Sequence, residues 1–506
     1  MSSLRWLLPL LTVTTAAWGA PQHTAPAPWS LEQIQAFFQA AAVAERLPDR
    51  LHGCLAYPDP PGSHWSRKAV EAACRYYLTP SALSQDEILD LIRRGRTAEL
   101  DRRLTQILQD QRTGKVPPET LDMLYIRAFL DVKKMRLAVD RWKKAAPHSA
   151  FALAASGQMY VTQAGDARGT ESIGDTPQSS VDAMDRLIAR AKADLERAVQ
   201  IEPHLTPAWV AMIDAGIGDG AYAHSAAKRA SAIEPLDFAI YAARTWLAQP
   251  KWGGSDAAME GVAREALAHA RANPLLELYR ADPPAIAIGL DECGCHTDAD
   301  PGVFQQVFDQ AARPRLYLGA GKHALAKGRP DIAGVYFSEA LRFDQGESHV
   351  LAQRNQGLLS AGAFDFALES ANRRLASHPD EEESLAARAM VHSYRHDEAN
   401  VEKDTLRVLA ITKNDLWALT QLGYSYVFNT QEWNKALAIA DRLVREYPDN
   451  PDGLYLRAQA QAGLHDPRLK ETVAAFEAKF GRDSAQQHKL MQLRGFLLMV
   501  PQEPKR

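Results

Sequence analysis

A tyrosine and then leucines return at one position through the second half of the chain: Tyr317, Leu351, Leu385, Leu419 and Leu454. They lie about 34 residues apart, a spacing that belongs to stacked helical hairpins. Small residues follow the same register at Ala333 and Ala367, with looser matches near Val401 and Ala436, where paired helices would cross closely. Helix breakers stand at Pro379 and Pro448. Each period holds two short apolar-periodic runs. One hairpin cannot bury its own apolar face, so such units exist only as an array. Strand signals are scarce, because no clean alternating run reaches five residues between turn signals. The expected fold class is all-α: an α-solenoid of helical hairpins, degenerate in the N-terminal half.

The residues at these positions, with Leu422-Gly423-Tyr424 and Trp433 to Pro448 as the clearest copy, resemble the tetratricopeptide repeat from Pro314 to about Lys479. Three intact units are expected, with a worn first unit and a terminal one. The resemblance implies a protein-interaction scaffold whose opening helices line a concave groove. Carried over by register, that lining holds Tyr394, Trp417, Tyr424, Phe428 and Tyr455. Aromatic side chains supply much of the energy of typical interfaces. The alternative for several of them is packing between hairpins, Tyr424 above all. Tyr336 and Phe337 read as core. Arg354, Arg388 and Arg457 depart from the pattern, which normally has a buried apolar residue there. Either the register shifts by one or these guanidinium groups snorkel or pair.

The front half continues the helical pattern. Ser30 with Gln33, and Ser84 with Glu87, form capping-box signatures ahead of helices Leu31 to Arg46 and Gln85 to Arg94. Helices follow over Glu99 to Gln109 and Glu119 to Ala145, the latter broken by a turn near Asp131. Ala150 to Val161 precedes a polar loop, Gln163 to Ser180, and Val181 to Glu202 is a long amphipathic helix. Pro203 and Pro235 end two worn hairpins. The phrases His148-Ser149-Ala150-Phe151-Ala152 and Pro250-Lys251-Trp252-Gly253-Gly254-Ser255 resemble the bacterial domain-of-unknown-function family numbered 4034, from roughly Leu89 to Tyr279. That family implies a fold neighbour and transfers no catalytic residue. The expected organisation is a signal peptide over 1–19, a cysteine-bearing region over 20–83, and degenerate hairpins over 84–313. The regular array then covers 314–480, and a capping helix and tail 481–506.

The N-terminus looks like an export signal. Arg5 precedes a nearly uncharged run from Trp6 to Ala17, and Ala17-Trp18-Gly19 offers small residues for cleavage. A retained N-terminal anchor is the alternative, although the run is shorter than the roughly 20 residues of a spanning helix. The expected location is periplasmic or secreted. In such a compartment four cysteines argue for disulfides. Sequence leaves three pairings open, with Cys54 to Cys74 preferred and Cys293 and Cys295 remaining. A formal charge of -4 without a long basic run gives no reason to expect nucleic acid as a partner.

Two stretches outside the array carry possible chemistry. Trp252, beside Gly253 and Gly254, either lies over a ligand or plugs the gap between hairpins. The stretch Asp291-Glu292-Cys293-Gly294-Cys295-His296-Thr297-Asp298-Ala299-Asp300 gathers metal-binding residue types, but Cys-Gly-Cys lacks the spacing of zinc knuckles and of common thiol oxidoreductases. A structural disulfide is the expectation, so no metal or other cofactor is assigned. No Gly-x-Ser-x-Gly elbow or His-Glu-x-x-His helix occurs. Glu339 and Glu369 read as solvated, and His224, His269, His323 and His392 as surface or packing residues. The expected function is a non-catalytic exported interaction protein holding a peptide, protein or envelope component. An enzyme or metal-binding protein with its site near Trp252 and Cys293–His296 is one alternative, and a self-assembling structural protein the other.

Overall fold

The computed structural model describes residues 28–169, 175–216, 218–343 and 348–499. The signal peptide expected over 1–19 lies outside them. Every regular element among the described residues is helical, and none is a strand. Helix starts follow local chemistry. Ser30 and Gln33 close a reciprocal box, Ser30 N–H donating to Gln33 Oε1 at 2.8 Å and Gln33 N–H to Ser30 Oγ at 3.2 Å. Ser84 caps its helix in the same way, but Glu87 turns outward to Arg103. The turn expected near Asp131 is real: helix Thr120–Phe129 stops, and Asp131 caps Val132–Ala145 by accepting from Lys134 N–H. The helix from Ala150 runs further than expected, to Arg168.

The chain divides into two compact units. The first contains Val43–Gly328 with Arg342–Asp344. Its core is built by helices packed in sequence-adjacent pairs, the longest pair being Ala150–Arg168 against Gln178–Ile201. Gly157 allows that approach, because a Cβ there would overlap Leu195. Trp142 and Trp209 are fully buried in this core. Cys54 and Cys74 form a disulfide between helices Arg50–Ala56 and Arg67–Leu78, with their Cα atoms 5.8 Å apart. Arg342 secures the same corner, donating to the Cys54 carbonyl at 3.0 Å and to Asp59 at 2.8 Å.

Glu119, Asp122 and Asp237 are buried acids that influence one another in this unit. Glu119 accepts from Asn273, and Asp122 accepts from Thr206 Oγ1 at 2.6 Å. Asp122 faces Asp237, which caps helix Phe238–Leu247. Two buried carboxyls side by side do not ionise together cheaply, which favours a proton on one of them. Burial first, and then the Asp237 charge, pushes Glu119 up to about 8 and holds Asp122 well above the usual carboxylate range.

The second unit contains Trp29–Ala42, Arg329–Leu341 and Gln345–Arg506. The N-terminal helical segment therefore belongs with the array: Trp29 lies 5.5 Å from Tyr336, and Gln35 Nε2 donates to the Ala361 carbonyl at 2.9 Å. Helices Pro330–Phe343 and Ser348–Ser360 cross where Gly334 meets Gly357. Hairpins follow in register: Ser348–Ser360 with Phe364–Ser377, Glu382–Tyr394 with Glu398–Ile411, Leu416–Tyr424 with Trp433–Glu446, and Pro451–Gly463 with Leu469–Phe480. Gln487–Met499 packs on the last pair. Tyr336 and Phe337 are fully buried, as their spacing implied. Glu339, expected to face solvent, is also buried, since it shares the inward stripe of its helix with Tyr336.

The three irregular arginines are paired. Arg354, itself buried, donates to Ser370 Oγ at 2.5 Å with its guanidinium over Phe366. Arg388 pairs with Asp404, and Arg457 meets Asp441 at 2.7 Å. Each partner is on the helix packed against the arginine's own. Pairing, and not a slipped register, explains these departures.

Candidate functional site

Tyr424, Phe428 and Tyr455 meet on one side of the array. The rings of Tyr424 and Phe428 stack with centroids 5.6 Å apart, and each lies 6.3 Å from Tyr455. Local backbone geometry makes this possible. After Tyr424 the helix widens into a π turn over Ser425–Asn429, closed by Thr430 N–H donating to the Ser425 carbonyl five residues back. Such turns favour functional sites because they re-aim one side chain out of helical register. Here the re-aimed residue is Phe428, 43% exposed on a segment whose neighbours Tyr426 and Val427 are buried.

Polar contacts fix the platform. Glu398 accepts from Ser425 and, at 2.7 Å, from Asn429 Nδ2, so one carboxylate holds both ends of the π turn. The Tyr426 hydroxyl donates to Glu402 at 2.6 Å. Beneath Phe428, the Tyr424 hydroxyl donates to Asp452 at 2.8 Å, and the Tyr455 hydroxyl to Gln492 at 2.6 Å. Lys489 reaches Asp452 at 2.6 Å and lies over the Tyr455 ring. Burial, with Asp452 alongside, drives the Tyr424 phenol far above its ordinary pKa, so it stays a neutral donor.

The five aromatics expected on the groove wall thus have different positions. Tyr455 is buried at 5% exposure, and Tyr424 is half-buried beneath Phe428. Trp417 packs on the apolar core of the array. Tyr394 is the most open, at 58%, and rests on Phe364 with ring centroids 6.0 Å apart. Register reasoning missed Asp452, which starts the opening helix of the last hairpin, and Lys489 and Gln492, which stand on a helix beyond the repeat.

In the first unit Trp252 lies against Trp246, with ring centroids 4.7 Å apart, beside a cavity of about 230 Å³ also lined by Gly216, Gly218, Gly220 and Leu247. Gly253 takes positive φ, and a Cβ on Gly254 would overlap the Ala248 carbonyl. Both glycines are therefore needed to fold Trp252 back. Asp291, Cys293, Cys295 and His296 converge, one ligand atom from each lying within 4.8 Å of the others. Cys293 and Cys295 are joined to each other across Gly294, and Asp291 Oδ2 lies 2.6 Å from His296 Nδ1.

The fold and the aromatic platform define an all-α helical-hairpin repeat protein with an exposed aromatic contact on its array. No family model matches the chain, and no curated protein matches it. The front half's resemblance to the family numbered 4034 accordingly finds no support. Among solved structures the chain is similar to the P58(IPK) TPR domain, at 12% identity over 77% of this chain and 100% of that one, with a TM-score of 0.21. It is also similar to the yeast Tom70, at 12% identity over 92% of this chain and 96% of that one, with a TM-score of 0.32. Superpositions this loose carry no argument. The fold assignment rests on the helices and their pairing.

Proposed function

We propose that the array binds a protein or peptide partner through the face carrying Phe428 and Tyr394. The observation that carries this reading is the support beneath Phe428. An exposed phenylalanine backed by two stacked, hydrogen-bonded tyrosines loses little side-chain freedom on contact, which is the property of an interface anchor. Among the described residues no helix is long and apolar enough to cross a membrane. The reading includes export to the periplasm or the medium. The charge-poor run from Trp6 to Ala17 supports it, and so does the Cys54–Cys74 bridge, since such bridges persist in oxidising compartments.

The test uses the full chain and a Tyr394→Ala/Phe428→Ala variant as paired baits in envelope extract, with bound proteins identified by mass spectrometry. The expected result is a partner retained by the parent and lost by the variant, at unchanged thermal midpoint. Equal retention by both would overturn the assignment of this face. Recovery of the chain's own copies alone would replace partner binding with self-assembly.

A further inference from the structure

The Cys293–Cys295 loop is built differently from a structural bridge. Cys54 and Cys74 are buried, so no outside thiol can reach their sulfurs. Cys295 is exposed, as is His296, whereas Cys293 is half-covered. The loop is held rigidly from below. His323, buried in helix Pro314–Ala326, places one ring nitrogen 2.9 Å from the Gly294 carbonyl and the other 2.9 Å from the Ala299 carbonyl. Gly294 adopts positive φ with its Cβ position against the Gly319 carbonyl, and Gly319 in turn presses on the Asp291 carbonyl. Only glycine fits either place.

On the outer side, polar groups are aimed at sulfur. The Cys295 N–H donates to Cys293 Sγ at 2.9 Å. The His296 ring lies against both sulfurs, its Nδ1 3.8 Å from Cys293 Sγ and 3.7 Å from Cys295 Sγ. Asp291 orients that ring, while its other oxygen accepts from Gly294 N–H at 3.0 Å. The imidazole serves both sulfurs, but only Cys293 Sγ also accepts an N–H hydrogen bond, which stabilises it as a thiolate and makes it the better leaving group. Exposure leaves the other sulfur open to attack.

We propose that Cys293–Cys295 is a dithiol–disulfide exchange site that oxidises pairs of thiols. A substrate thiol gives its proton to His296 Nε2, which lies 3.9 Å from Cys295 Sγ and is the nitrogen not bonded to Asp291, and attacks Cys295 Sγ. The Cys293–Cys295 bond breaks, its electron pair leaves on Cys293 Sγ, and His296 passes the proton there. The second substrate thiol, also losing its proton, attacks the substrate sulfur of the mixed disulfide and releases Cys295, which takes up that proton. The substrate dithiol becomes a disulfide, and two electrons and two protons end on the loop cysteines. One substrate pair is oxidised per chain.

The experiment mixes the oxidised full chain, without air, with a synthetic peptide carrying two reduced cysteines, then blocks free thiols and maps them by mass spectrometry. One equivalent of peptide disulfide should form, with Cys293 and Cys295 newly blocked and Cys54–Cys74 intact. Offered the peptide in its disulfide form, the reduced Cys293→Ser variant should hold a lasting mixed disulfide at Cys295. His296→Ala should slow exchange about tenfold or more without changing its extent, as loss of a proton-transfer group does. Unchanged peptide with Cys293–Cys295 still joined would overturn the proposal. So would isolation of the chain with both thiols reduced around one equivalent of zinc, which would make the same four residues a metal site.

Discussion

The Arg388 guanidinium meets the Asp404 carboxylate through two hydrogen bonds, at 2.7 and 2.8 Å, across the two helices of one hairpin. Its remaining nitrogen donates to Asn372 at 2.8 Å, on the closing helix of the hairpin before. One side chain therefore ties successive hairpins at a position the repeat normally fills with an apolar residue. Asp404 is almost wholly buried, so removing Arg388 leaves an uncompensated charge. Arg388→Ala should cost about 3–5 kcal/mol. Arg388→Met with Asp404→Leu should be close to neutral, because it removes both desolvation costs together. Urea unfolding of the three proteins checks this, and an equal loss in the single and double variants would refute the pairing account.

Front-half stability should fall as pH rises. Burial holds Glu119 protonated up to about 8 and Asp237 up to about 6, whereas unfolded chains release these protons near 4. A folded pKa raised above the unfolded one gives stability that is full below about pH 4 and lost as pH climbs through the folded values. Each proton involved contributes a slope of about 1.4 kcal/mol per pH unit across its window. Glu119→Gln should make the upper part of that profile shallower, between pH 6 and 8, leaving the contribution of Asp122. Urea midpoints measured across this range decide it, and a profile that rises or stays level in the parent would count against the buried acid cluster.

How much of this was visible beforehand depends on distance along the chain. The Ser30–Gln33 box, the break at Asp131 and the alanines at helix crossings are set by residues within a turn or two, so the sequence exposes them. The Cys54–Cys74 bridge was legible because the two cysteines flank one loop. The partner of Arg388 was not, since a hairpin must form before Asp404 faces it. Asp122 and Asp237 were invisible as a pair, because nothing local distinguishes a buried acid from a solvated one. Glu339 misled for the same reason. The π turn hid Phe428's position, which depends on Glu398 from a neighbouring helix holding the wider turn closed.

Replacing Cys54 and Cys74 together by alanine should lower stability by about 3 kcal/mol, the chain-entropy value for a loop of this size. Because both sulfurs are buried, mild reductant should leave the bridge intact until the first unit opens. Thermal melts of the parent with and without reductant, beside the double variant, test both statements. Rapid reduction at temperatures where the fold persists would show that the bridge is more accessible than its burial implies.

At the crossing of helices Pro330–Phe343 and Ser348–Ser360, a Cβ on Gly334 would stand 2.9 Å from the Gly357 Cα and 3.0 Å from the Phe38 ring. Backbone and a packed ring cannot give way cheaply. Gly334→Ala should therefore destabilise by about 1–3 kcal/mol, the usual cost of overpacking, although alanine is the better helix former. Gly114→Ala is a poor control, since its φ is positive. Gly495, which meets nothing within 4 Å, is the suitable one and should gain or hold stability. If both substitutions behave alike, the helices are not in close contact.

Phe428 and Tyr455 separate binding from folding within one cluster. Tyr455 is buried, bonded to Gln492 and covered by Lys489, so Tyr455→Ala should cost about 3–5 kcal/mol as a core truncation. Phe428 is exposed and supported from one side only, so Phe428→Ala should change stability by less than about 1 kcal/mol. Its loss should instead appear as faster dissociation of whatever partner the capture experiment identifies, because interface truncations act chiefly on the off-rate. Glu398→Gln adds a third arm: it leaves Phe428 in place but weakens the grip on Ser425 and Asn429. Weakened capture by Glu398→Gln with an intact melt would show that the π turn positions the ring. Tight capture by Phe428→Ala would mean that the exposed ring contributes nothing to recognition.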